Sequence, residues 1–318
     1  MVKANGTVNI CYEGSFLRVL VTRGARIIRW AELPFGRDEL SGGVIVNPGS
    51  IGQKLRDLLV SLKVSPERAL VSLNTPVAAH RFLNVPRLSA KLLEKAILHD
   101  AQETIHVPME ELYLSWKRVR TGRDNLFVVA EPRRTVDSLL QVLLAAGIKQ
   151  PEFDSKPLAL ARAANHPDAI IMDLEEGNLQ VVLVRKGVPR VMRNVPMEAG
   201  VAGIRNQILL EELDTTLRLY ESAYEEDALD STFPVILTGF AAPGGDTYAM
   251  MAELFHRPVE PFKPPVKEPE GFQAGIYAAG IGLALKKASG TERRRVNVPD
   301  LDLLVPQVKR PQYRPIRE

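Results

Sequence analysis

Two similar strand–turn–strand units, one in each half of the chain, constrain the fold more than any other feature. The first is VNICYEGSFLRVLV, residues 8–21, and the second is AIIMDLEEGNLQVVLV, residues 169–184. In each, an apolar strand meets a Gly-containing turn and a second apolar strand leaves it. Branched side chains favour pleated strands because they pack well on a half-buried sheet face. One hairpin per half implies two related lobes with a cleft between them. A turn that cradles phosphate is small and rich in backbone donors and hydroxyls. These turns instead carry Glu13, Glu175 and Glu176. The pattern is that of a nucleotide-binding architecture whose nucleotide is in question.

At 318 residues the chain exceeds one ordinary domain. A single cysteine, Cys11, excludes an internal disulfide framework and is expected to be a buried small residue in a reducing compartment. No basic start followed by a long apolar stretch marks a signal peptide. The uncharged, mostly apolar run over residues 274–285 is too short to span a bilayer. Net charge is +3, and residues 291–318 carry all of it, with seven Lys or Arg against four acids. A body with no net charge argues against nucleic acid as a partner. The basic tail fits either an anionic membrane face or plain solvent.

The strand and helix periods give the same order in both halves: three strands, a helix, a strand and a helix. The expected division is a first lobe over 1–168, interrupted by a small α+β insert at about 40–122, then a second lobe over 169–290 and a tail over 291–318. Mixed sheets flanked by helices are α/β architecture. Within this scheme Ser89 is an expected N-cap, with Leu92, Leu93, Ala96 and Ile97 as the buried stripe of its helix, and residues 271–287 are expected to be one Ala- and Gly-rich helix.

Candidate chemistry is sparse. Asp173, after the strand 169–172, is the best-placed acid. It could orient Mg²⁺ or a water, or cap local backbone donors in a turn. Glu175 and Glu176 stand where phosphate oxygens would approach, and burying them unpaired would be costly. The loop 238–246 places Gly239, Gly244 and Gly245 before a helix and fits either a ligand loop or a tight connection. The five histidines match no metal signature, so no metal site is expected, and no Walker A, G-x-S-x-G or dinucleotide motif is present.

Several separated segments resemble one family. They are Val85–Ser89 with Leu93-Glu94 and residues 101–108, then residues 153–160, Leu237-Thr238-Gly239, and residues 275–285. Together these resemble PilM, the actin-like cytoplasmic protein of type IV pilus assembly and a relative of FtsA. The resemblance covers about residues 7–288. It implies an actin-like (ribonuclease H-like) two-lobed α/β fold at the inner face of the cytoplasmic membrane. The family's first phosphate loop, Asp-Ile-Gly-Ser, falls on Cys11, Tyr12, Glu13 and Gly14, and its hairpin Lys falls on Arg18. Its second Asp-Ile-Gly falls on Asp173, Leu174 and Glu175. Its adenosine-side loop survives as Gly239, with Phe240 crowding the base or ribose.

The resemblance therefore implies a scaffold rather than an enzyme, with no cofactor. The alternative is an ATPase in which Asp173 organises Mg²⁺ or water while Gly14, Ser15, Gly177 and Gly239 contact ATP. A second alternative is an FtsA-like filament at a membrane, disfavoured by a Pro-containing tail that is a poor helix former. The tail also resembles the start of PilN, the family's membrane partner. Leu301, Leu303, Leu304 and Pro306 would be the docking residues of that PilN-like tail segment, and the expected partner is a PilN-like inner-membrane protein or such a fused segment. Pilus motor or platform proteins are further expected partners.

Overall fold

The structure, a computed structural model, describes residues 6–36, 38–75, 78–86, 88–105, 107–121, 124–197, 202–240, 247–287 and 295–304. The first half runs β1 (Thr7–Tyr12), β2 (Phe16–Arg23), β3 (Arg26–Pro34), β4 (Leu40–Ser41), β5 (Val44–Ile45), α1 (Pro48–Ser61), β6 (Arg68–Leu73), β7 (Ala79–Leu83), α2 (Ala90–Thr104), β8 (Leu112–Thr121), β9 (Asp124–Pro132), α3 (Arg133–Ala145), β10 (Gln150–Ser155) and α4 (Lys156–Ala164). The second runs β11 (Ala169–Glu175), β12 (Asn178–Arg185), β13 (Val188–Pro196), α5 (Ala202–Ala223), β14 (Val235–Gly239), α6 (Thr247–Phe255), β15 (Val259–Glu260) and α7 (Ala278–Lys287).

Two five-stranded sheets repeat one topology. The first has the order β3-β2-β1-β6-β10 and the second β13-β12-β11-β14-β15. In each, an antiparallel meander supplies three strands, and two further strands join parallel to the first of them. The central hairpin strands are buried along nearly their whole length because helices or the other half cover both faces. That burial explains their unbroken apolar runs. A third sheet, β7-β9-β8, carries α2 on one face. Strand β9 serves two cores by alternation: Phe127 and Val129 enter the first-half core, while Leu126, Val128 and Ala130 face α2.

Several expectations need correction. The stretch 40–122 is not a single insert, since α1 packs against α3 and β6 pairs in parallel with β1 at the centre of the first sheet. The added unit is the third sheet with α2, and the helical and strand periods of α1 and β6 are those of the main body. Ser89 does hold the N-cap position but its side chain makes no capping bond. Leu92 is 54% exposed, and α2 packs through Leu93, Ile97 and Ala101. The last helix is shorter than 271–287: turns occupy the residues before Ala278, where Gly271 has a φ of +76° and the Gly275 carbonyl accepts from Gly239 N.

The halves meet through α4 and α7. A Cβ on Gly282 would lie 1.8 Å from the Ala159 carbonyl oxygen, so the two helices approach as closely as backbones allow. Cys11 lies in this contact zone, buried, its thiol pushed up to about 12 by burial and by Glu13.

Candidate functional site

The two hairpin turns face each other across the junction of the halves, and charged side chains fill the space between them. Lys156 opens α4 and is 1% exposed. Its Nζ pairs with Glu13 Oε2, lies 2.7 Å from Asp173 Oδ2 and 3.9 Å from Glu175 Oε1. Glu13 follows β1 of the first sheet, whereas Asp173 and Glu175 belong to β11 of the second. Arg18, on β2, is equally buried. Its Nη1 donates to Glu175 Oε1 at 2.5 Å and to the Ile276 carbonyl at 2.8 Å, and its Nε donates to Glu32 at 2.7 Å. The guanidinium carbon is 4.5 Å from the Phe16 ring centroid, 5.5 Å from Phe240 and 5.9 Å from Tyr277.

Polar contacts close the rim. Ser15 Oγ donates to Glu176 Oε2 at 3.2 Å. Asn74, just past β6, donates to Glu13 at 3.4 Å and accepts from Asn178 and Asn194 at 3.1 and 3.2 Å. A cavity of about 420 Å³ lies beside this rim, lined among others by Gly14, Gly43, Asn74, Thr135 and Gly177.

The electrostatics follow from burial and pairing. Burial disfavours the Lys156 ammonium, but Asp173, Glu13 and Glu175 outweigh it and hold the group above the ordinary lysine range. Arg18 is raised in the same way: burial opposes its charge, and Glu175 and Glu13 overcome it. The Glu175 carboxyl is pushed up to about 8 by burial, against the pull of Lys156.

Glu175 and Glu176, whose unpaired burial would be costly, therefore have partners: Arg18 and Lys156 for the first, Ser15 for the second. Asp173 is also not a turn residue after a strand ending at Met172. It sits inside β11, accepts from Thr238 Oγ1 at 2.6 Å and faces Lys156. Gly14 and Gly177 occupy the two turns with φ of +86° and +78°. Gly239 serves backbone packing, since a Cβ there would be 2.1 Å from the Leu174 carbonyl oxygen. Phe240 is half-exposed with its N–H bonded to that same carbonyl. Residues 241–246 of the expected ligand loop lie outside the described residues.

Lys156 is the site residue that sequence reasoning missed. One signal was available. It is a lone cation at the first position of a helix buried over Lys156–Ala163, at the end where the helix dipole disfavours positive charge. Only nearby acids make that placement stable.

A second feature lies along the β10 edge of the first sheet. Residues 295–304 run along the molecule without helix or strand, with a turn at Leu303-Leu304, from Asn297 N donating to the Gly187 carbonyl at 2.6 Å to the outer strand β10. Leu303 N donates to the Phe153 carbonyl at 3.0 Å, and Phe153 N donates to Asp302 Oδ1 at 3.1 Å. Cations grip the backbone carbonyls: Arg162 bonds Pro299 at 2.9 Å, Lys117 bonds Asp300 at 2.6 Å and Lys286 bonds Leu301. Hydrogen bonds from charged donors are the stronger kind. Leu301 and Leu303, 3% and 2% exposed, belong to the same core as Val71 and Phe153, and Leu304 packs at its margin. Pro306 lies outside the described residues.

No family model and no curated protein matches the chain. Known structures do. The chain shares 20% identity and a TM-score of 0.71 with a protein from the PilM-PilN type IV pilus biogenesis complex, over 89% of this chain and 99% of that one. The cytoplasmic domain of EpsL, an inner membrane component of the type II secretion system of Vibrio cholerae, gives 13% and 0.54 over 95% and 98%. A Bacteroides thetaiotaomicron protein with an actin-like ATPase fold gives 11% and 0.52 over 87% and 96%. The chain has the actin-like fold. The α/β fold implied by the PilM resemblance is thus the fold observed, and the charged cluster occupies the cleft between the two halves of an actin-like molecule. No helix among the described residues is long and apolar enough to cross a membrane.

Proposed function

We propose that this chain is an assembly scaffold of a type IV pilus or type II secretion system, stationed at the inner face of the cytoplasmic membrane, and that it works by gripping a short segment rather than by turning over nucleotide. One observation carries the reading: the seat along β10 and β8 already holds such a segment, residues 299–304, with two leucines in the core and three carbonyls bonded to cations. Apolar anchors at alternate positions with backbone bonds to an outer strand are a standard way for a sheet to bind a peptide. The fold it shares with a protein of a PilM-PilN complex and with cytoplasmic EpsL supports the setting. A PilN-like segment, fused to this chain or separate, is the proposed occupant. Lys156 and Arg18, filling the space between the hairpin turns, support a cleft that no longer takes ATP and Mg²⁺.

The test is exchange in trans. A full chain carrying Leu301→Asp and Leu303→Asp has a weakened segment of its own. It is expected to bind a synthetic peptide of residues 297–304 at micromolar concentration, while the native chain, already occupied, binds none. A folded double variant that ignores the peptide would remove the seat as a binding groove.

A further inference from the structure

We propose that the Lys156 ammonium is the resident cation of the cleft: it holds the two halves in one fixed closure that needs no bound ligand. The inference goes beyond the scaffold reading and stands independently of the segment seat. Carboxylates from two separate sheets converge on one nitrogen, Glu13 from the first and Asp173 and Glu175 from the second. Without a cation these acids would face each other at the junction and drive the halves apart. Among the described residues Lys156 is the one cation within 4 Å of a Glu13 or Asp173 oxygen; Arg18 acts on Glu13 from farther off and pairs directly with Glu175 and Glu32. Lys156 belongs to α4, which is packed against α7 and both sheets, so its charge cannot leave the cleft as a bound ion would. The rim hydrogen bonds, Ser15 to Glu176 and Asn178 to Asn74, lie beside the charged centre and keep the same closure.

A charge clasp and a mere packing residue behave differently when the acids are neutralised. In the full chain Lys156→Met keeps most of the side-chain volume and removes the charge. The expected result is a larger radius of gyration by small-angle scattering, faster amide exchange in both hairpin turns, and a melting temperature lower by about 5 °C or more. Adding Glu13→Gln and Asp173→Asn to Lys156→Met removes the uncompensated acids and is expected to recover most of the melting temperature and the native scattering curve. If Lys156→Met alone does not fold, a folded triple variant supports the clasp and an unfolded one overturns it. A Lys156→Met chain with native scattering and melting, or a triple variant as unstable as the single, likewise overturns it.

Discussion

At the scale of single residues, buried acids in this molecule divide by whether a cation reaches them. Glu13 and Asp173 have Lys156. Glu131, at the end of β9, is 1% exposed and has a hydroxyl instead: Thr75 Oγ1 donates to Oε2, and Oε1 has no partner among the described residues. Burial pushes its carboxyl up to about 8, with the Thr75 bond opposing. The folded chain then holds a proton that the unfolded chain releases at ordinary carboxylate pH. Stability from this group is fully present below about 4.5 and is lost as pH rises to about 8. Glu131→Gln keeps the neutral shape. Comparing melts at pH 5 and pH 8, the native chain is expected to lose more stability than the Gln variant. Equal losses would mean that Glu131 ionises normally in the fold.

At the scale of elements, what the sequence exposed and what it concealed have physical reasons. The hairpins β1–β2 and β11–β12 are legible because a Gly turn separates two branched-residue runs. The repeated strand order follows from them. The insert boundary is not legible, because β6 is a central strand whose buried run resembles any short apolar segment. Leu92 is misplaced because two adjacent leucines satisfy helical spacing equally well and only the third sheet chooses Leu93. The charged site is concealed for another reason: Lys156 and Glu13 are 143 positions apart, and nothing local announces the pair. By contrast, the Gly-rich start of α7 does announce close packing. Gly282→Ala would put a methyl group into the Ala159 carbonyl and force α4 and α7 apart. A loss of about 2–4 kcal/mol by chemical denaturation is expected; a neutral result would mean that the helices shift freely.

At the scale of the whole molecule, two copies of one topology are joined by charge as well as by apolar contact. A nucleotide that enters the cleft must displace the Lys156 and Arg18 pairs, each a buried contact whose disruption costs about 3–5 kcal/mol. Titration of the full chain with ATP and Mg²⁺ is therefore expected to give no heat at millimolar concentration. Micromolar binding would restore the ATPase reading, with Glu13 and Glu175 turned away from the phosphates.

The gripped segment has a mechanical side. Its described part reaches Leu304, beside β8 and β10, and its leucines and gripped carbonyls follow one another along the backbone. A pull applied beyond Leu304 along that direction would load these attachments together, in shear, rather than peel them one by one. Residues 299–304 would then act as a cleat: tension on whatever follows passes into the first sheet through several anchor points at once, and the two leucines must leave their core together before the line slips.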